Sequence, residues 1–390
     1  MTNQRYRGNG QLIVASTAQT RQSDCVSATW GGLKFVPPVW LGVKILTEIS
    51  EKREQAMTIK IDEKRIFEVI ELRKPRSVAL NGPEALIPKV QEAADHITER
   101  FGIHAYVIGD ACWGSCDLNT HAADMLGADI LFNIGHTIAT ETFGDKVVMI
   151  GAFDDISLDW VAEKCAKELR GRYRTISVLT DSQHLHQVQS VKKIFEEHGY
   201  EVIVGKGKGQ LVDGQVFGCE FYPAYNIQNE VDAYFFLGQS MFHCISVAMS
   251  TEKPTFMLDP YFGEYSQVNE HALRFQKRAI LSIYKAVDCE KIGIIIGLKE
   301  GQFAHVRALE LKKEFEKLGK KVQLIALTEI TDDRIQTFKG IDAFIQVACP
   351  RIAMDNQFKK PMLSVPQAIA LLKLLRREPI DDFLRIPHWL

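Results

Sequence analysis

Ala128-Asp129-Ile130-Leu131-Phe132, Val231-Asp232-Ala233-Tyr234-Phe235 and Ile341-Asp342-Ala343-Phe344-Ile345 are three versions of one five-residue phrase. Each is an apolar run with Asp at its second position, and each reads as a strand. The same elements precede each of them. Ser77-Val78-Ala79-Leu80 comes before a helical pattern over about 85–101 and a strand at His104-Ala105-Tyr106-Val107-Ile108. Thr175-Ile176-Ser177-Val178-Leu179 comes before a helical pattern over about 184–198 and Tyr200-Glu201-Val202-Ile203-Val204. Lys291-Ile292-Gly293-Ile294-Ile295-Ile296 comes before a helical pattern over about 303–318 and Lys321-Val322-Gln323-Leu324-Ile325. After each phrase follows a fourth run: Lys146-Val147-Val148-Met149-Ile150, Lys253-Pro254-Thr255-Phe256-Met257-Leu258 and Lys360-Pro361-Met362-Leu363. Gly199 and Gly319 close two of the helices, as residues that accept the left-handed conformation do.

Apolar strands separated by amphipathic helices argue for parallel sheets covered on both faces, and a threefold recurrence in one order argues for a repeat. The units run over about 62–157, 165–265 and 288–366. The expected fold is therefore α/β: three repeated four-stranded parallel-sheet domains in a pseudo-threefold triangle around a central site. The expected divisions are a poorly ordered N-terminal extension 1–56, domain 1 over 57–158, domain 2 over 159–280, and domain 3 over 281–390 with a C-terminal helix. Residues 1–56 lack sustained periodicity, and Met57 is the expected natural start.

A chain of 390 residues is long enough for two or three domains, each with its own core. Its net charge of −2 gives no global attraction to nucleic acid or to an anionic membrane. No run of about 18 apolar residues predicts a membrane span, and Met1-Thr2-Asn3-Gln4-Arg5 has no apolar core behind it as a secretory signal would. The expected location is the cytoplasm.

Eight cysteines in a chain of this length are not a secreted disulfide framework. Cys165, Cys244 and Cys289 sit in apolar or helical context and read as small core or partly buried residues. Cys116, Cys219 and Cys349 differ. Each follows the end of a predicted strand in a different unit, at the edge where open parallel sheets bind ligands. Small residues precede them: Ser115, Gly218 and Ala348. Thiolates suit a soft site, iron–sulfur or zinc. Cys112 and Cys116 form a C-x₃-C pair, but no third nearby cysteine completes a knuckle, and structural zinc prefers four ligands. Three thiolates on an iron cubane would leave one iron open.

Other candidates sit at corresponding strand ends. His136 closes the third strand of the first unit; Gln239 and Ser240 close that of the second, followed by His243; Asp259 ends a fourth strand. These are read as lining one central cavity. Gln183, His184 and His186 begin a helical pattern, where anions bind. Lys312, Lys313, Lys317, Lys320 and Lys321 read as a solvated helix face, and Leu371 to Arg377 as an amphipathic C-terminal helix; either is a candidate contact for another chain.

Several of these stretches together resemble a known family. They are Tyr106-Val107-Ile108-Gly109-Asp110 through Gly114-Ser115-Cys116-Asp117, Ala128-Asp129 to Gly135-His136-Thr137, Gln183-His184-Leu185-His186, Gly214-Gln215-Val216-Phe217-Gly218-Cys219, and Val347-Ala348-Cys349-Pro350-Arg351. In this order they are similar to the diphthamide synthase family, the 2-(3-amino-3-carboxypropyl)histidine synthases, and most to its archaeal form. The resemblance covers about 60–375. It implies a [4Fe–4S] cluster held by Cys116, Cys219 and Cys349, with S-adenosylmethionine at the open iron. The cavity residues His136, Gln239, Ser240 and Asp259 would then contact S-adenosylmethionine. It further implies reductive cleavage at the methionine γ-carbon, transfer of the 3-amino-3-carboxypropyl group to imidazole C2 of a histidine in translation elongation factor 2, and release of methylthioadenosine. The implied partners are that factor, a second copy of the chain and an electron donor. Cys112 departs from the family pattern and is given no ligand role. Two other readings stand beside this one: a non-catalytic subunit that relays electrons, and a zinc-stabilised binding module.

Overall fold

A computed structural model describes residues 59–355 and 358–389. The expectations for 1–56 and for Met57 lie outside the described residues. Three sheets carry the architecture, and in each the first strand in the chain lies between the second and the third. The first sheet runs His104–Val107, Ser77–Asn81, Ile130–Ile134, Val147–Ile150, all parallel. The second runs Glu201–Ile203, Thr175–Thr180, Ala233–Leu237, Thr255–Asp259, again parallel. The third runs Lys321–Leu327, Lys291–Gly297, Ala343–Gln346, Met362–Leu363.

Two of the sheets exceed the expected four strands. Thr142–Phe143 and Glu264–Gln267 add antiparallel edges to the first and second. The second of these returns through a turn closed by Gly263 at φ 60°, a short connection that only antiparallel pairing permits. Ile59–Ile61 pairs antiparallel with Ala152–Asp154 as a separate ribbon.

The third strands begin two residues later than their sequence suggests, because the aspartates have another task. Asp129 Oδ2 accepts from the backbone N–H of Arg76 and Ser77 at 2.7 and 3.3 Å. Asp232 Oδ2 accepts from Arg174 and Thr175 at 2.8 and 3.0 Å. Asp342 Oδ2 accepts from Glu290 and Lys291 at 3.2 and 2.9 Å. In each sheet this carboxylate satisfies the amides at the start of the neighbouring first strand. Those bonds hold the Asp129 and Asp232 carboxyls below the usual range.

The helices lie where the periodicity puts them. Ile87–Phe101 buries Val90, Ala93, Ala94 and Ile97; Val188–Glu197 buries Val188, Val191 and Phe195; His305–Lys317 buries Ala308, Leu311 and Phe315. Gly199 and Gly319 adopt φ 89° and 80°, as read. Each sheet has an apolar cluster on both faces, so its central strands are buried. Cys165 and Cys244 are fully buried in these cores.

Two connections are less obvious. Helix Asn269–Val287 continues through the 280/281 boundary read from sequence: Ala272 packs in the core of the second sheet, Ile283 and Ala286 in that of the third. The C-terminal helix is Val365–Leu375, started by a Ser364–Gln367 capping box. It is buried on most of its circumference, because it packs beside Asn269–Val287, and Gln367 donates to the Ala279 carbonyl at 3.3 Å. It is not the free amphipathic surface that Leu371 to Arg377 suggested. Within the basic stretch, Lys312 and Lys317 pair with Glu316 and Glu314 of their own helix, and Lys320 donates to the Val287 and Cys289 carbonyls.

Candidate functional site

The loops that leave the carboxyl ends of the strands carry Cys116, Cys219 and Cys349. None of the three is in a disulfide, and each is partly accessible. The Cys219 pKa is pushed well above the ordinary thiol value, first by burial and then by repulsion from Cys349 and Cys116. Cys116 and Cys349, each from another sheet, therefore both lie within electrostatic reach of Cys219. Among the described residues, no three His, Cys, Asp or Glu side chains converge as ligands of a single metal ion do.

Arg351 ties the three loops together. It follows Cys349 by two residues, and its guanidinium stands 5.4 Å from the ring centre of Phe242 and 5.8 Å from that of Trp113. Trp113 belongs to the Cys116 loop. Phe242 opens helix Met241–Thr251 and lies against Gly218, next to Cys219; a Cβ at Gly218 would fall 1.7 Å from the ring. The small residue before Cys219 thus makes room for an aromatic ring. Ala348 packs in the same manner against Gly297, where an added Cβ would be 2.7 Å from its own.

A strap from the third sheet grips the Cys116 loop. Lys299 Nζ pairs with Asp117 at 2.6 Å and with Glu329 at 2.8 Å; Asp117 is 2 % and Lys299 7 % exposed. Glu300 Oε1 accepts from the Thr120 amide and hydroxyl at 2.8 and 2.5 Å. The Gly301 amide donates to the Cys116 carbonyl at 3.0 Å, and Gln302 Nε2 stands 3.5 Å from Cys116 Sγ. Burial holds the Asp117 carboxyl above its usual range in spite of Lys299. Sequence reading assigned none of Lys299, Glu300, Gly301 or Gln302. The available signal was position: the segment follows the first strand of its unit, on the ligand-binding edge.

The C-terminal residues cover Cys219. The Trp389 amide donates to the Cys219 carbonyl at 2.8 Å, and Glu220 and His388 form an antiparallel bridge. The Trp389 ring is buried edge-on against Phe221, 5.0 Å between centres. A cavity of about 260 Å³ lies between this tail and the strap, lined in part by Gln302, Arg307, Pro350 and Trp389. It is smaller than the ~300–1,000 Å³ of small-molecule sites, so it reads as a gap beside the loops rather than a substrate pocket.

Cys112 is a structural residue. It is buried, with its sulfur 3.2 Å from the Asp117 carbonyl, 3.5 Å from Asn133 Nδ2 and 3.6 Å from His136 Nδ1. Burial pushes its thiol up to about 12. His136 is lowered to about 4 by burial and by the neighbouring His243, which leaves it neutral at pH 7. His243 Nδ1 stands 3.7 Å from Asp181 Oδ2 and has no hydrogen-bond partner there. Asp181, which sequence reading missed, is drawn down by His243 against the opposing effect of burial.

Gln239 and Asp259 meet: the Gln239 amide donates to both carboxylate oxygens at 2.9 and 3.0 Å. Ser240 is the residue before helix Met241–Thr251 and makes no capping bond. His136 lies close enough to His243 to feel its charge, and His243 follows Ser240 by three residues. Gln183, His184 and His186 stand at the start of the helical stretch, as read: the 3-10 turn Leu185–Gln187 runs directly into Val188–Glu197. His184 is buried 4.0 Å from Asp154, and His186 is 3.7 Å from Asp155. Two histidines already facing carboxylates are poorly placed to receive an anion. Gln215 of the Gly214–Cys219 motif is buried and joins the first two sheets, donating to the Thr137 carbonyl at 2.7 Å and to Ser182 Oγ at 3.2 Å.

Among the described residues, no helix is long and apolar enough to cross a membrane. A family model described as a diphthamide synthesis protein matches residues 82–383. The 2-(3-amino-3-carboxypropyl)histidine synthase of Pyrococcus horikoshii is 28% identical over 316 residues, spanning 80% of this chain and 90% of that protein. Subunit 1 of the Caenorhabditis elegans synthase is 29% identical over 295 residues, 73% of each chain. The crystal structure of Dph2 from Pyrococcus horikoshii with a 4Fe-4S cluster superposes with a TM-score of 0.75 at 28% identity, covering 84% of this chain and 95% of that one.

Proposed function

Because the chain belongs to the diphthamide synthesis protein family, we propose that it is the transferase of the first step of diphthamide formation. It moves the 3-amino-3-carboxypropyl group of S-adenosylmethionine to imidazole C2 of a histidine in translation elongation factor 2 and releases methylthioadenosine. Cys116, Cys219 and Cys349 hold a [4Fe–4S] cluster, one thiolate from each sheet. When bound, that cluster supplies the electron for breaking the bond between sulfur and the γ-carbon.

The observation that carries this reading is that Cys116 and Cys349, from two other sheets, both lie near Cys219. Deprotonated together as ligands, three neighbouring thiolates need a bound cationic centre to offset their charge. Ligands of one zinc ion must all lie about 2.3 Å from one point, so their sulfurs stand about 3.8 Å apart. Ligands of a cubane bind different irons and stand further apart. Three thiolates suit a cubane with one open iron, whereas structural zinc is usually held by four protein ligands.

The chain's own residues then position and exclude. Arg351, Phe242 and Trp113 hold the three loops at fixed spacing, and Trp389 covers the Cys219 side. His136, neutral at pH 7, offers a ring nitrogen without adding a cation beside a sulfonium. Gln239, Ser240 and Asp259 line the same edge and are assigned to S-adenosylmethionine. Two copies of the chain, an external electron donor and a cytoplasmic setting complete the proposal.

The test is anaerobic reconstitution of the full chain, followed by dithionite, S-adenosylmethionine and elongation factor 2. About four irons per chain, methylthioadenosine, and a mass increase on one histidine peptide of the factor are expected. Cys116→Ala, Cys219→Ala and Cys349→Ala should each abolish all three, while Cys165→Ala should not. A colourless protein that retains zinc, or a Cys219→Ala variant as active as the parent, would overturn the proposal. An iron-loaded chain that forms methylthioadenosine only beside a second, different protein would make it a relay subunit.

A further inference from the structure

Residues 299–302 form four consecutive contacts with residues 116–120: Lys299 to Asp117, Glu300 to Thr120, Gly301 to the Cys116 carbonyl and Gln302 to the Cys116 sulfur. The approach is close enough that a Cβ on Gly301 would lie 2.5 Å from Cys116 Cα. Gln302 is 8 % exposed, so its amide N–H has little water to turn to. The strap begins where strand Lys291–Gly297 ends, in the sheet that also carries Cys349.

We propose that Gln302 is a positioning residue that sets the reduction potential of the cluster, by donating its side-chain amide to the Cys116 sulfur while Lys299 holds the loop in reach. This rests on the reading of Cys116 as a cluster ligand. One-electron reduction adds negative charge that spreads onto the ligand sulfurs. A donor aimed at one of those sulfurs stabilises the reduced form more than the oxidised form, and so raises the potential. Lys299 places a cation beside Asp117, the next residue in the chain, and acts in the same direction. Without the amide the cluster becomes harder to reduce by any external low-potential donor, although its ligands are unchanged.

The experiment is a potential titration of the reconstituted full chain with dithionite and mediators, read by the electron paramagnetic resonance of the reduced cluster. Gln302→Leu removes the donor and keeps the bulk. At the parent's midpoint its ratio of reduced to oxidised cluster should fall about tenfold, ~59 mV for a one-electron couple. Gln302→Glu places a carboxylate at the sulfur and should shift the potential further in the same direction; it gives the answer if the leucine variant does not hold iron. Glu300→Ala loosens the same strap while sparing the amide, and its potential should match the parent's. A fully loaded Gln302 variant with an unshifted potential would overturn the inference, and so would equal shifts in Glu300→Ala and Gln302→Leu. A parent chain that binds no iron would instead remove the reading of Cys116 as a ligand.

Discussion

Replacing Lys299 by Met tests the strap at its most buried point. The ammonium faces Asp117 at 2.6 Å, and both groups are almost fully enclosed. Its second partner, Glu329, is 46 % exposed and contributes less than about 1 kcal/mol. The cost of Lys299→Met is therefore set by the carboxylate left behind. Stranding one member of a buried pair typically costs about 3–5 kcal/mol. Asp117 keeps one donor, the Trp113 amide at 3.3 Å, so the lower end, about 3 kcal/mol, is expected at pH 7. Burial already holds the Asp117 carboxyl above its usual range with Lys299 present, so the intact pair adds little net stability and the broken pair costs much. The assay is urea unfolding of the metal-free chain, followed by circular dichroism, on parent, Lys299→Met, Asp117→Asn and the double variant. The double variant should recover roughly 2 kcal/mol of the loss, because no charge is then stranded. A single-variant cost under about 1 kcal/mol, or a double variant no better than Lys299→Met, would refute the reasoning.

Three further outcomes follow from the geometry. His136 takes a proton near pH 6.5 when unfolded but only near 4 when folded, so its contribution to stability is lost as pH falls through that window; His136→Gln should reduce the loss between pH 7 and 5 by about 2 kcal/mol, and parallel urea midpoints would contradict this. Gly218→Ala must displace the Phe242 ring and should cost about 1–3 kcal/mol in thermal unfolding; a change below about 0.5 would mean that the ring swings away freely. Trp389→Ala should cost about 3–5 kcal/mol and speed alkylation of Cys219 by iodoacetamide in the metal-free chain, measured by peptide mass; an unchanged Cys219 rate would show that the tail does not cover it.

Period and position carried most of the fold. Apolar runs and Gly-terminated helices are local signals, and the strands and helices they predict occur within two or three residues of their expected places. The aspartate phrase was visible as a pattern, but its cause was not. A side chain at 129, 232 or 342 reaches the start of a strand more than fifty residues earlier, and nothing local records that pairing. The antiparallel edges escaped for a similar reason: two- and four-residue strands are too short to show a period.

Within the site, cysteine and histidine stand out by their chemistry, whereas the residues that hold them do not. Lys299 reads as an ordinary surface lysine until the fold buries it against Asp117, 182 positions away. Gly218 makes room for the ring of Phe242, which no spacing rule connects to it. His184 was read at a helix start and does stand there, but its burial beside Asp154 of the first unit is a long-range contact that no local pattern records.

The aspartates at the starts of the strands have a consequence for how this molecule tolerates change. A five-residue strand spans roughly 16 Å, so each carboxylate anchors its sheet about that far from the loops at the opposite end. Alignment of the strands is thereby settled without help from the sulfur-bearing loops. Those loops are free to be selected for what they grip rather than for keeping neighbouring strands in step.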